Sequence, residues 1–159
     1  MRYSSFWMSV LTIALAGAGY AYLRKRQPEY PNARVIATFT LVGGGLGGLL
    51  LVVPVAISDW WHGHYDNFYI TISIGTMAGT TAGCMPATVC GLALAWSRST
   101  RSWESAGFAA MVGGVASVLF TWLWTPNGVV VLCSLVGVLA AAILAALVLP
   151  KANKASEAA

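Results

Sequence analysis

The side chains best suited to acid–base or metal chemistry lie in one short polar segment, residues 59–67. Its carboxylate and imidazole groups belong to Asp59, His62, His64 and Asp66. Two imidazoles and a carboxylate can hold a divalent transition metal, and histidine also titrates near neutral pH. A metal site, a membrane enzyme and a pH sensor are therefore hypotheses for this segment. We expect instead a polar, aromatic interface loop without metal, cofactor or catalytic residue.

Hydroxyl groups form a second polar set, on the apolar stretch that follows. Ser73, Thr76 and Thr80 fall near one face of a helix built from this stretch. In lipid, such hydroxyls usually bond to a carbonyl of their own helix or link two helices. We expect that role here, and the alternative is that the three residues line a pore.

Glycine recurs at four-residue spacing near the centres of the apolar stretches. Residues four apart share a helix face, and a face of small residues lets two backbones approach closely in lipid. The pattern predicts tight packing of the helices. One glycine face left open would instead dock a partner helix or a second copy of the chain. These packing or docking candidates are Gly43, Gly44, Gly47, Gly48, Gly75, Gly79, Gly83, Gly113 and Gly137.

The elements that carry these residues are apolar and long. The chain of 159 residues is 58% hydrophobic and only 9% charged, whereas a soluble domain has roughly a quarter charged residues. A helix needs about 20 apolar residues to cross a bilayer, and lipid leaves the backbone no other hydrogen-bond partner. We therefore predict one all-α integral membrane bundle over residues 1–150, followed by a short polar cytoplasmic tail at 151–159. Its five crossings are expected at about 6–23, 35–58, 68–96, 106–124 and 128–149, or four if the first stretch is a cleaved signal peptide.

Basic residues give the orientation. With five crossings, the first loop, the third loop and the tail share one side, which holds eight of the nine Lys and Arg residues. Because short cytoplasmic loops are rich in Lys and Arg, the N-terminus is predicted outside and the C-terminus in the cytoplasm. Short loops and a compact chain favour a bacterial inner membrane.

What the apolar stretches lack narrows the function. None holds an ionisable Asp, Glu, Lys, Arg or His well inside it, which argues against a proton pump, a carrier of charged substrates and a voltage sensor. No phosphate-binding motif and no domain for nucleic acid is recognisable. We predict a non-enzymatic protein that binds another membrane protein or itself, as an accessory subunit or as an immunity protein against a membrane-targeting toxin. The alternatives are a small channel or carrier for an uncharged solute and, third, a membrane enzyme using the 59–67 segment.

Overall fold

Five α-helices make up the computed structural model, which describes residues 2–124 and 129–151. No β-strand occurs in those ranges, so the predicted all-α class is confirmed. The predicted turn at 125–127 and the tail after Lys151 lie outside the described residues. The helices are α1 (Arg2–Arg26), α2 (Asn32–Trp61), α3 (Tyr65–Trp96), α4 (Trp103–Trp124) and α5 (Val129–Val148).

Four of these helices are long and apolar enough to cross a membrane. The stretches that meet both conditions are Asn32–Trp61, Asn67–Trp96, Trp103–Trp122 and Val131–Val148. The 30 residues of α2 rise about 45 Å, more than the hydrocarbon core of about 30 Å. Helix α1 has 25 residues but is less apolar and is not among the four.

The link between α2 and α3 is shorter than the sequence predicted. Residues 59–67 were expected as a loop, but only residues 62–64 separate the two helices. Gly63 ends α2 with a φ of +80°, and the amide of His64 donates to the carbonyl of Asp59 at 2.9 Å. This geometry is a glycine C-cap, in which a left-handed residue satisfies the last helical carbonyls. Hydropathy marks where apolar residues stop, whereas the helix continues until a residue can break it.

The bundle has two chemically different ends. The basic end comprises residues 24–34, 97–102 and 149–151, and the Gly63 end lies around residues 62–64. At the basic end, the amide of Arg101 donates to the carbonyl of Pro150 at 2.7 Å, and the Tyr30 hydroxyl donates to the carbonyl of Ser99 at 2.7 Å. These bonds bring the first loop, the third loop and the end of α5 together, as alternation of the helices requires.

The buried core also lies toward the basic end. Its members come from the end of α1, the start of α2, the end of α3, the start of α4 and the end of α5. They are Leu23, Val35, Ile36, Phe39, Cys90, Leu94, Ala95, Ala109, Ala141, Leu144, Ala145 and Leu149. The helices are therefore most tightly closed at this end.

Helix α1 runs alongside α3 in the same direction. The Thr12 hydroxyl lies 3.6 Å from the Cys84 thiol, and further along the rings of Tyr22 and Trp96 stack with centroids 5.5 Å apart. The Arg26 guanidinium lies over the Trp96 ring, 5.0 Å from its centroid. These contacts fix α1 to the outside of the α2–α3 pair.

Candidate functional site

A cavity of about 520 Å³ lies between the α2–α3 hairpin and the α4–α5 hairpin. The hairpins join at the basic end, where the Cys90 thiol donates to the carbonyl of Ala109 across 3.5 Å. On α3 the lining extends from Ile70 to Cys90. The stretch from Thr71 to Cys90 alone rises about 29 Å, close to the thickness of a bilayer's hydrocarbon core. We call this cavity the interhairpin groove.

The interhairpin groove is open along one side of α3. Ile74, Ala78 and Ala82 line it and are nevertheless exposed. Gly47 on α2 and Val136 on α5 also line the groove. Between residues 75 and 87, the α3 residues that line the groove are mostly Gly or Ala, and these small residues leave room for an occupant beside the helix.

The walls themselves are held by close backbone contact. A Cβ added to Gly79 would lie 2.6 Å from both the amide nitrogen of Gly48 and the carbonyl oxygen of Gly44. One added to Gly83 would lie 2.9 Å from the Gly44 Cα, and one on Gly75 would meet the Val52 side chain. Only glycine permits such an approach, so these residues join α2 to α3.

The second hairpin uses glycine in the same way. A Cβ on Gly113 would lie 2.9 Å from the carbonyl oxygen of Gly137, and one on Gly137 would meet the hydroxyl of Ser117. Gly43 differs, since its added Cβ would meet the methyl group of Ala87 at 2.6 Å. The added Cβ of Gly47 would have its nearest neighbour, Val136, at 3.8 Å, which is ordinary van der Waals contact. Of the nine glycines singled out in the sequence, Gly47 therefore has the most space.

The groove carries no charged side chain among the described residues that line it. At its Gly63 end, however, Thr71 lines the groove and its hydroxyl donates to the Asp59 carboxylate at 3.4 Å. Asp59 is partly exposed. A carboxylate therefore stands next to one end of an otherwise uncharged groove.

The three predicted pore-lining residues lie elsewhere. Ser73, Thr76 and Thr80 are not among the groove-lining residues. The Thr76 hydroxyl donates to the carbonyl of Ile72 at 2.7 Å, and that of Thr80 donates to the carbonyl of Met77 at 2.8 Å. Both hydroxyls are thus bonded within α3.

The four titratable groups near the Gly63 end do not form a described metal site. The His62 Nδ1 lies 2.7 Å from the carbonyl oxygen of Ser58, and Asp59 accepts from Thr71. His64 is exposed, while the side chain of Asp66 lies outside the described part of the chain. Within that described part, no three His, Cys, Asp or Glu side chains are grouped to hold a metal ion.

One titratable group at the basic end has an altered acidity. Burial raises the pKa of Tyr30 to about 12, since the phenolate is poorly solvated there. Nearby, the Gln27 amide donates to the carbonyl of Trp96 at 3.1 Å. Gln27 thus joins the first loop to the end of α3, and Tyr30 joins it to Ser99 in the third loop.

No protein-family model, curated protein or solved structure matches this chain.

Two features of the site escaped the sequence analysis. The interhairpin groove is lined by residues of four helices, and no spacing within one helix records how the four come together. Asp59 and Gly63 both lie in the segment that was predicted to be a loop. A glycine two residues after Trp61 was the signal for the helix end at residue 63.

Proposed function

We propose that this chain is a non-enzymatic, multi-pass membrane protein that binds an apolar partner inside the bilayer, in the interhairpin groove. The groove is the observation that carries the proposal. It is preformed, uncharged along its length and of the size of a small-ligand site.

Insertion into a membrane is supported by the outer surface of the bundle. Large apolar side chains face outward on all sides, among them Ile13 at 71%, Leu41 at 74% and Leu147 at 64% exposure. Soluble proteins rarely expose contiguous apolar surface on this scale. Helix α1 follows α3 from the level of Thr12 to that of Tyr22, so we propose that it crosses with α3 as a fifth span.

Orientation follows from the charged ends. The basic end faces the cytoplasm, and the Gly63 end faces outward, in a bacterial inner membrane.

An accessory subunit and an immunity protein would both need an apolar binding surface such as the interhairpin groove. A threonine-lined pore receives less support, because the hydroxyls of Thr76 and Thr80 are bonded within their own helix.

The test is whether an occupant stays in the groove of the purified protein. We expect native mass spectrometry after mild detergent extraction to show mass above that of the bare chain. Replacing Ala78 and Ala82 together with Phe fills the groove and should release that mass, since both residues are exposed and line it. The matched control is Thr81→Phe, which adds the same ring to an exposed neighbour outside the lining.

Two results would contradict the proposal. The first is a wild-type protein that carries no bound mass. The second is an occupant lost equally in Thr81→Phe and in the Ala78/Ala82 variant, because the loss would then report detergent stability and not the groove. Circular dichroism of both variants establishes that each remains helical.

A further inference from the structure

The shape and charge of the interhairpin groove identify the kind of molecule it takes. We infer that the groove holds one acyl chain of an aminophospholipid, whose ammonium group is bound at Asp59. This inference rests on the proposed function and names the partner of the same site.

The dimensions of the groove fit a hydrocarbon chain. It extends for about 29 Å along α3 with a volume of about 520 Å³, so it is long and thin, as an extended hydrocarbon chain is. One side is open and the described lining carries no charged side chain, so a chain can enter from the bilayer and lie along the groove.

The groove is also longer than one leaflet. It reaches from Thr71 near the Gly63 end to Phe39, Cys90 and Leu144 in the buried core. Half of a hydrocarbon core is about 15 Å, so an acyl chain of ordinary length can enter from the Gly63 end without meeting the core.

Charge complementarity selects the head group. The Asp59 carboxylate accepts one hydrogen bond from Thr71, and a carboxylate has about four lone-pair sites. Capacity remains for an N–H donor, which an ethanolamine ammonium supplies and a choline group lacks. The opposite end carries Arg26, Arg98 and Arg101 and would repel an ammonium group. The lipid is therefore bound with its head at the Gly63 end and its chain directed toward the basic end.

Indole rings support this placement of the head group. Trp60 and Trp61 end α2 beside Asp59 and are 55% and 81% exposed. Tryptophan prefers the headgroup level of a bilayer, so the Asp59 carboxylate lies at the depth where an ethanolamine ammonium is found.

The experiment uses the full chain in nanodiscs with three photoactivatable phospholipids that share one diazirine acyl chain. Their head groups are ethanolamine, glycerol and choline. We expect the ethanolamine probe to label groove residues such as Ala78 and Ser117 more than the other probes do. Asp59→Asn, which keeps the size of the side chain, should lower that labelling about two- to fivefold, the range of a partly exposed ion pair. Labelling at Met77, which is 73% exposed and outside the lining, should stay equal for all probes.

The outcomes separate this inference from the proposed function. Equal labelling of the groove by the three probes, or no effect of Asp59→Asn, overturns the aminophospholipid. A polypeptide found as the mass retained in detergent overturns it too, but leaves the proposed function intact. A groove labelled no more than Met77, together with no retained mass, overturns both.

Discussion

Gly79 and Gly44 meet backbone to backbone: a Cβ built on Gly79 would lie 2.6 Å from the carbonyl oxygen of Gly44. The atoms it would meet belong to the main chain, so relief requires α2 and α3 to move apart. Overpacking of this kind typically costs roughly 1–3 kcal/mol. We expect Gly79→Ala to lower the free energy of unfolding in detergent by that amount, and Gly79→Leu by more.

Gly47 provides the control for this prediction, because it lies on α2, the helix that Gly79 contacts, and has room for a Cβ. A Cβ there would have Val136 as its nearest neighbour, at 3.8 Å. Gly47→Ala should be neutral or stabilising by up to about 1 kcal/mol, the gain in helix propensity. Equal destabilisation by the two substitutions, measured by thermal unfolding, would show that the close α2–α3 approach is not what limits substitution.

These glycines show which part of the helix packing could be predicted from the sequence. Their spacing put Gly75, Gly79 and Gly83 on one helix face, because that depends only on helical periodicity. The spacing could not predict that α2 packs against this face. Gly44 and Gly48 are roughly 30 residues earlier in the chain, and their contact with α3 depends on the packing of the whole bundle. The all-α class was predictable from composition, whereas the groove depends on how four helices pack together.

The residues with positive φ after α2 and α3 allow a second test, in which one is changed to glycine and the other from glycine. Gly63 ends α2 with a φ of +80°, while Arg98 takes the same role after α3 with a φ of +51°. The left-handed conformation costs a non-glycine residue about 1–2 kcal/mol. Arg98→Gly should therefore stabilise the protein by about 1 kcal/mol, and Gly63→Arg should destabilise it by a similar amount, both measured by chemical denaturation. A destabilised Arg98→Gly protein would indicate that the arginine side chain contributes more than its backbone costs.

Topology can be measured with single cysteines and a membrane-impermeant maleimide on intact cells. The starting protein has its native thiols at Cys84, Cys90 and Cys133 replaced by Ala. We expect His64→Cys, at the exposed Gly63 end, to be labelled from outside, and Lys151→Cys, at the basic end, to be labelled only after the membrane is permeabilised. The reverse pattern would mean that the basic end faces outward, contrary to the distribution of Lys and Arg.

Tyr30 should make the stability fall at alkaline pH. Burial raises its pKa from 10.0 to about 12 in the folded protein, so the unfolded chain loses the phenolic proton first. The stability contributed by this group is therefore complete below about pH 10 and is lost as the pH rises toward about 12. Tyr30→Phe should remove this loss, and at neutral pH it should cost about 1 kcal/mol through the missing bond to Ser99. Tyr69→Phe, at a 70% exposed position, is the matched control for thermal unfolding across this pH range.

The last prediction separates the metal hypothesis from the interface-loop interpretation of the Gly63 end. A site made of His62, His64 and a carboxylate should bind zinc or copper with an affinity that rises with pH, because only neutral imidazoles coordinate. The turn between α2 and α3 has three residues, and the His62 ring already contacts the carbonyl of Ser58. This leaves little freedom to surround an ion. We therefore expect replacement of both histidines by Ala to leave metal content and helicity unchanged.

The tryptophans before the turn should behave differently. Trp60 and Trp61 are exposed at the end of α2, where indole rings anchor a helix at the headgroup level. Replacing both with Ala should lower the amount of protein in the membrane fraction, while the double histidine variant matches wild type. Stoichiometric zinc or copper in the purified protein, measured by elemental analysis and lost in the double histidine variant, would overturn this expectation. The Gly63 end would then be a metal site, and the enzyme hypothesis would move from third place to first.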